Sequence, residues 1–217
     1  MKQTIQQYQD RAEAGKILAD ALVAYQGRSD VIVLALARGG VPVGYEIAKA
    51  LSVPLDVYIV RKLGVPGHEE LAMGAVASGG ITVFNESIVR DLHLSEQTMH
   101  AVIEAELKEL KRREIRYRAG RPFPRLANKC IILVDDGIAT GATIKVAIKA
   151  LRQQKPSSII VAVPVAPPEI CKALEIQVEG LICPLQPSLF NAVGTWYQHF
   201  SQTEDEEVVR CLALTRM

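Results

Sequence analysis

An α/β fold built on a largely parallel sheet is predicted by three observations. First, continuous apolar runs of strand length recur: "DVIVLALA" (30–37), "CIILVD" (130–135) and "SIIVAVPVA" (158–166). Such runs suit strands covered on both faces, as in a parallel sheet. Second, the first two runs lead into "VPVGYEIAKAL" and "TIKVAIKALRQQ", whose apolar residues have helical spacing. Third, the first run, its helix and "PLDVYIV" (54–60) complete strand, helix and strand within the span of one βαβ unit.

Taken in order, residues 4–26 read as a polar-faced helix with Ile17, Leu18, Ala21, Leu22 and Tyr25 on one side. Strand 30–37 ends at Arg38-Gly39-Gly40, and the next helix carries Pro42 near its first turn, where a missing N–H costs little. After strand 54–60 the character changes. Gly64, Gly67, Gly74, Gly79 and Gly80 punctuate residues 61–85, which read as a hairpin or an excursion from the sheet. Residues 95–118 are strongly helical, with Met99, Val102, Ile103, Leu107 and Leu110 on one face, and "RPFP" (121–124) ends them. Next come strand 130–135, helix 143–154 and strand 158–166. A helix opened by Pro167 and Pro168 leads to a last short strand, "EGLICPL" (179–185), and a less regular tail. The order β-α-β-(insertion, helix)-β-α-β-α-β gives a parallel sheet flanked by helices.

The chain is read as a single domain of 217 residues, 49% of them hydrophobic, enough for a substantial core. A net charge of +1 speaks against a general nucleic-acid binder, which needs a basic excess. No apolar run approaches a membrane span of about 20 residues. The N-terminus "MKQTIQQYQDRAEAGK" lacks a signal-peptide core. The four cysteines form no CxxC pair, so neither a zinc knuckle nor a thioredoxin-like site is indicated. The expectation is a reduced, cytoplasmic protein.

The stretch with most chemistry is "LVDDGIATGAT" (133–143). Asp135 and Asp136 emerge at the carboxyl edge of a strand, where parallel sheets bind ligands. A small-residue loop, Ala139-Thr140-Gly141-Ala142-Thr143, then enters a helix, whose free N–H groups and dipole suit a phosphate. Paired acids beside an anion site make sense if they accept hydrogen bonds from ligand hydroxyls or share a cation. A ribose 5-phosphate supplies both the vicinal hydroxyls and the phosphate. Singly, Asp136-Gly137 is an ordinary turn and Thr143 an ordinary cap; the combination at a strand end points to a sugar phosphate.

"CIILVDDGIATGAT" closely resembles the phosphoribosyl pyrophosphate (PRPP) motif of type I phosphoribosyltransferases, position for position. It is neither a Walker A loop nor a dinucleotide fingerprint. The resemblance spans roughly residues 30–186, with a small hood over the sheet edge from 1–29 and 187–217 and a flexible hairpin lid. "RKLGVPGHEELAMGAVA" is similar to a subgroup of predicted phosphoribosyltransferases whose acceptor is not established.

This resemblance implies a role for each candidate residue. Ala37, Arg38, Gly39 and Gly40 would form the loop that binds pyrophosphate, with a strained, often cis, peptide near Ala37–Arg38. Arg61 and Lys62, just past the second strand, would add positive charge at the pyrophosphate, and His68 and Glu69 would lie in the lid. Asp135 and Asp136 would grip the ribose hydroxyls directly or through water bound to Mg²⁺, and Ala139–Thr143 would hold the 5′-phosphate. Phe190, Trp196 and Tyr197, with Phe200, are candidates for a platform under the acceptor. The acidic run 204–207 reads as a solvated helix start. The implied reaction is transfer of 5-phosphoribosyl from PRPP to a nucleobase or related heterocycle, by a Mg²⁺-dependent homodimer. No lysine follows strand 158–166 before Lys172, so a 6-oxopurine acceptor is not implied. The alternative is a non-catalytic PRPP-binding regulatory protein.

Overall fold

The computed structural model describes residues 7–215. Five strands form its central sheet: β1 (Val31–Leu36), β2 (Leu55–Tyr58), β6 (Cys130–Val134), β7 (Ser158–Ala162) and β8 (Gly180–Ile182). All are parallel, in the order β2-β1-β6-β7-β8. Every residue of β1 and β6 is buried, which is why their sequences read as unbroken apolar runs. Val31, Val33 and Ala35 share a core with Val41, Val43 and Ile47 of α2 (Gly40–Leu51). Ile32, Leu34 and Leu36 share the opposite core with Ile144, Ala147, Ile148 and Leu151 of α5 (Ala142–Gln153). Each fully buried aliphatic side chain contributes about 1.5–3 kcal/mol relative to exposure.

This two-sided packing positions the site. β1 lies directly beside β6, in register from Val31↔Cys130 to Ala35↔Val134. The chain leaves β1 for α2 on one face and leaves β6 for α5 on the other. A crevice therefore opens between the carboxyl ends of these two strands, at the point where the strand order reverses.

The expected second strand is shorter than its apolar run. β2 stops at Tyr58, and a separate antiparallel sheet begins at once. Its strands are β3 (Val60–Val65), β4 (His68–Ala77) and β5 (Ile81–Phe84), in that order. Ser78 holds the break: the Ile59 N–H donates to Ser78 Oγ (3.1 Å), and the Ser78 N–H donates to the Ile59 carbonyl (2.9 Å). A short helix, α3 (Glu86–Asp91), precedes α4 (Glu96–Arg118), which Ser95 caps by accepting from the Thr98 N–H at 3.1 Å. α4 lies against β3 and β4 and reaches the central sheet through Leu110 and Tyr117.

The N-terminal helix is also shorter than its periodicity suggests. α1 (Arg11–Ala21) starts after Asp10, whose side chain accepts from the Glu13 N–H, and ends in a 3-10 turn at Val23–Tyr25; residues 4–6 of the expected helix lie outside those described. The segment before it pairs with the C-terminal tail instead. The Tyr8 N–H donates to the Trp196 carbonyl (2.9 Å) and the Gln198 N–H to the Tyr8 carbonyl (2.8 Å), while the buried Tyr8 hydroxyl donates to Pro164 O beyond β7 (2.8 Å). After α6 (Pro168–Glu175) and β8, the tail closes with α7 (Asp205–Leu214). Its acidic start is not simply solvated. Asp205 is largely buried, accepts from the Tyr117 hydroxyl at 2.6 Å and pairs with Arg116 at 2.7 Å, because α7 lies against α4.

Candidate active site

Asp135 and Asp136 follow β6 and face the loop that follows β1. At two positions that loop requires glycine. A Cβ on Gly39 would stand 2.1 Å from Asp136 Oδ2, and one on Gly40 would stand 2.7 Å from the Val134 carbonyl. Gly39→Ala is therefore expected to displace the acid pair, at a cost of about 1–3 kcal/mol in stability. Urea unfolding and ligand titration check this; wild-type values in both would contradict it. The Ala37–Arg38 peptide, where the resemblance implies a cis bond, is cis.

Two cavities flank the acids. One, of about 400 Å³, is walled by Ala37, Arg38, Gly39, Asp135 and Asp136, together with Arg11 and Phe200–Thr203. The other, of about 220 Å³, is formed by Asp135, Gly137–Ile144 and Val193. Asp135 belongs to both. The second cavity is the mouth of α5, where Gly141 takes a left-handed conformation (φ 75°) and Thr140 and Thr143 are exposed. N–H groups in a helix's first turn have no partner within the helix, so this hollow is suited to a phosphate. A larger cavity of about 770 Å³, between β4–β5 and α5, contains none of the candidate site residues.

The acids are electrostatically unequal. Burial pushes the Asp135 carboxyl well above the usual carboxylate range, and the neighbouring Asp136 charge adds to this. Burial also raises Asp136, but the Arg11 guanidinium opposes the rise. Arg11 Nε donates to Asp136 Oδ2 at 2.8 Å, and Nη2 lies equally close. Arg11 also donates from Nη1 to the Ser201 carbonyl (2.7 Å) and sits 4.0 Å over the Phe200 ring. Two carboxylates at a ligand cavity fit an ion that completes its shell with water and substrate oxygens, as Mg²⁺ does. Among the described residues no group of three or more His, Cys, Asp or Glu side chains could cage a metal unaided.

The structure thus gathers Ala37, Arg38, Gly39 and Gly40 with the acid pair, and Ala139–Thr143 beside them. Arg61, Lys62, His68, Glu69, Phe190 and Trp196 stand outside both cavity walls. Arg61 is held by a short contact to Glu106 of α4, and Lys62 lies 3.4 Å from Glu70, both on the antiparallel sheet and off the cavity wall. His68 and Glu69 are exposed at the β3–β4 turn, where Glu69 accepts from the Gly67 N–H. Tyr197 departs from an open platform. Its ring is 4% exposed, packed by Tyr8 and Phe200, and its hydroxyl donates to the Asp136 carbonyl, so burial holds its proton firmly. Phe190 stacks on Trp196 at 6.3 Å, outside both cavity walls. Sequence reasoning missed Arg11 and Thr203. Arg11 reads as one more charge on a helix surface. Thr203, 4% exposed with an unpartnered hydroxyl among the described residues, sits in an irregular tail.

The chain is thus an α/β protein whose parallel sheet brings an acid pair and a helix mouth together at its switch point. Residues 3–183 match the family model described as the phosphoribosyl transferase domain. The chain belongs to that family. It is 45% identical over 205 residues, 94% of its length, to a Mycobacterium tuberculosis protein (strains CDC 1551 and H37Rv) that carries the provisional name phosphoribosyl transferase. It spans about half (46%) of that relative's length. A crystal structure of a Thermus thermophilus protein superimposes with a TM-score of 0.82 at 37% identity, covering 95% of this chain and 97% of that one. Among the described residues no helix is long and apolar enough to cross a membrane.

Proposed function

We propose that this protein transfers the 5-phosphoribosyl group of PRPP to a ring nitrogen of a nucleobase or related heterocycle, releasing pyrophosphate. The observation that carries this reading is the position of Asp135, shared between the hollow at the mouth of α5 and a second cavity bearing arginines. A substrate with an anion at each end and a diol between them fits that layout.

The residues then have distinct tasks. The amides and hydroxyls of Ala139–Thr143 anchor the 5′-phosphate, away from the bond that breaks. Asp135 and Asp136 hold the ribose hydroxyls and orient C1. The Ala37–Gly40 loop and the Arg38 guanidinium receive charge that develops on the departing pyrophosphate. Mg²⁺, when bound through these carboxylates and substrate oxygens, supplies Lewis-acid neutralisation of the leaving group. The β3–β4 hairpin, with His68 and Glu69 at its turn, acts as a lid that carries Arg61 and Lys62 and excludes water as a competing nucleophile. The paired termini act as the hood on the acceptor side, with Phe190 and Trp196 at its edge. The chain works as one domain, in a cytoplasmic homodimer.

The test is release of pyrophosphate from PRPP with Mg²⁺ across a panel of heterocycles. Base-dependent release is expected. Tight PRPP binding with no turnover on any base would instead favour a PRPP-binding regulator, and an absence of PRPP binding would remove the reading altogether.

A further inference from the structure

Among the described residues, only two cations line the cavity beside the acid pair, Arg38 and Arg11. They share that wall with the acid pair, and a polyanion received there needs positive charge to offset the acids. Arg38 is held loosely, 3.5 Å from Asp205 and 3.7 Å from Glu204. Arg11 is held firmly by Asp136, the Ser201 carbonyl and the Phe200 ring. Nε donates to Asp136 and Nη1 to Ser201, with Nη2 2.8 Å from the same Asp136 oxygen; a guanidinium carries five N–H groups, so donors remain for a ligand. Arg61 and Lys62 are committed to Glu106 and Glu70 and do not reach this wall.

We infer that Arg11, supplied by the N-terminal helix, binds the pyrophosphate end of the substrate together with Arg38. This rests on the proposed phosphoribosyl transfer. Arg11 then serves two partners at once: its Asp136 contact fixes the diol-binding carboxylate, and its remaining donors meet the leaving group beside it. A planar guanidinium suits such shared use, because its donors diverge in one plane.

The experiment is calorimetric titration of the full chain with inorganic pyrophosphate and, separately, with ribose 5-phosphate, each with Mg²⁺. The variants are Arg11→Gln and Arg11→Lys, with thermal melts run alongside. Arg11→Gln is expected to weaken pyrophosphate by roughly tenfold or more, as loss of charge-assisted donors does. Ribose 5-phosphate should weaken far less, and Arg11→Lys should recover part of the pyrophosphate affinity. Unchanged pyrophosphate affinity in Arg11→Gln would overturn the inference. So would an equal loss for both ligands, which would mean that Arg11 only braces Asp136. Wild-type protein that binds neither ligand would instead count against the proposed reaction itself.

Discussion

Replacing Asp135 and Asp136 together by asparagine is expected to abolish measurable PRPP binding while the fold persists. Each carboxylate offers charge-assisted hydrogen bonds of about 1.5–3 kcal/mol. Losing both removes roughly 3–6 kcal/mol, or about a hundredfold to ten-thousandfold in affinity. Retained affinity, measured by calorimetry, would contradict the diol-gripping role. Stability should move the other way for one member of the pair. Burial raises the Asp135 carboxyl, so its proton favours the folded state. That contribution is complete below the unfolded value of about 3.9 and is lost as pH rises through the raised folded value. Above that unfolded value the buried carboxyl therefore supports folding less than it does in acid. Asp135→Asn alone should raise Tm at neutral pH, with the gain over wild type shrinking as the pH is lowered towards about 4. A Tm difference that grew on acidification would have the wrong sign. Asp136→Asn should lack this benefit, because it leaves the largely buried Arg11 facing a neutral group.

The largest stability effect is expected at Arg118, which is 2% exposed. Its guanidinium meets Asp56 and Glu114 at 2.8 Å, donates to the Val57 carbonyl at 2.7 Å and lies 4.8 Å from the Phe123 ring centre. This ties the last turn of α4 to β2, close to where the chain leaves the parallel sheet. Arg118→Ala strands two largely buried carboxyl groups, and losing one partner of a buried pair costs about 3–5 kcal/mol. In a chain this long that is roughly a 10 °C fall in Tm, read by calorimetry. Adding Asp56→Asn and Glu114→Gln should restore much of the loss, because the cost lies in the uncompensated charges. A single variant that melts with wild type would show that water reaches those carboxyls.

Legibility followed the range of the interactions. The central strands were evident because burial on both faces demands uninterrupted apolar runs, as at Val31–Leu36 and Cys130–Val134. The end of β2 was not, because Ser78, about twenty residues on in the chain, terminates it by accepting and donating across the break. The acid pair and the α5 mouth were legible as one contiguous stretch. Arg61 and Lys62 were expected near the site from the resemblance and their place past a strand end, while β3 carries them to carboxylates of α4 and β4. Tyr197 was a candidate for the acceptor platform, yet Tyr8, nearly the whole chain away, packs against it.

The parallel α/β architecture, the small-residue loop at the mouth of α5 and the adjacent carboxylates could be read from the residue order alone, because hydrophobic period and backbone capping are local properties. Which charges share the cavity depends on folding in three dimensions. Arg11, Asp136, Ser201 and Phe200 come from three separated segments, and nothing short of folding brings them within hydrogen-bonding and stacking distance. Their meeting depends on the two termini pairing across the sheet edge, an interaction between distant stretches that neither stretch encodes alone.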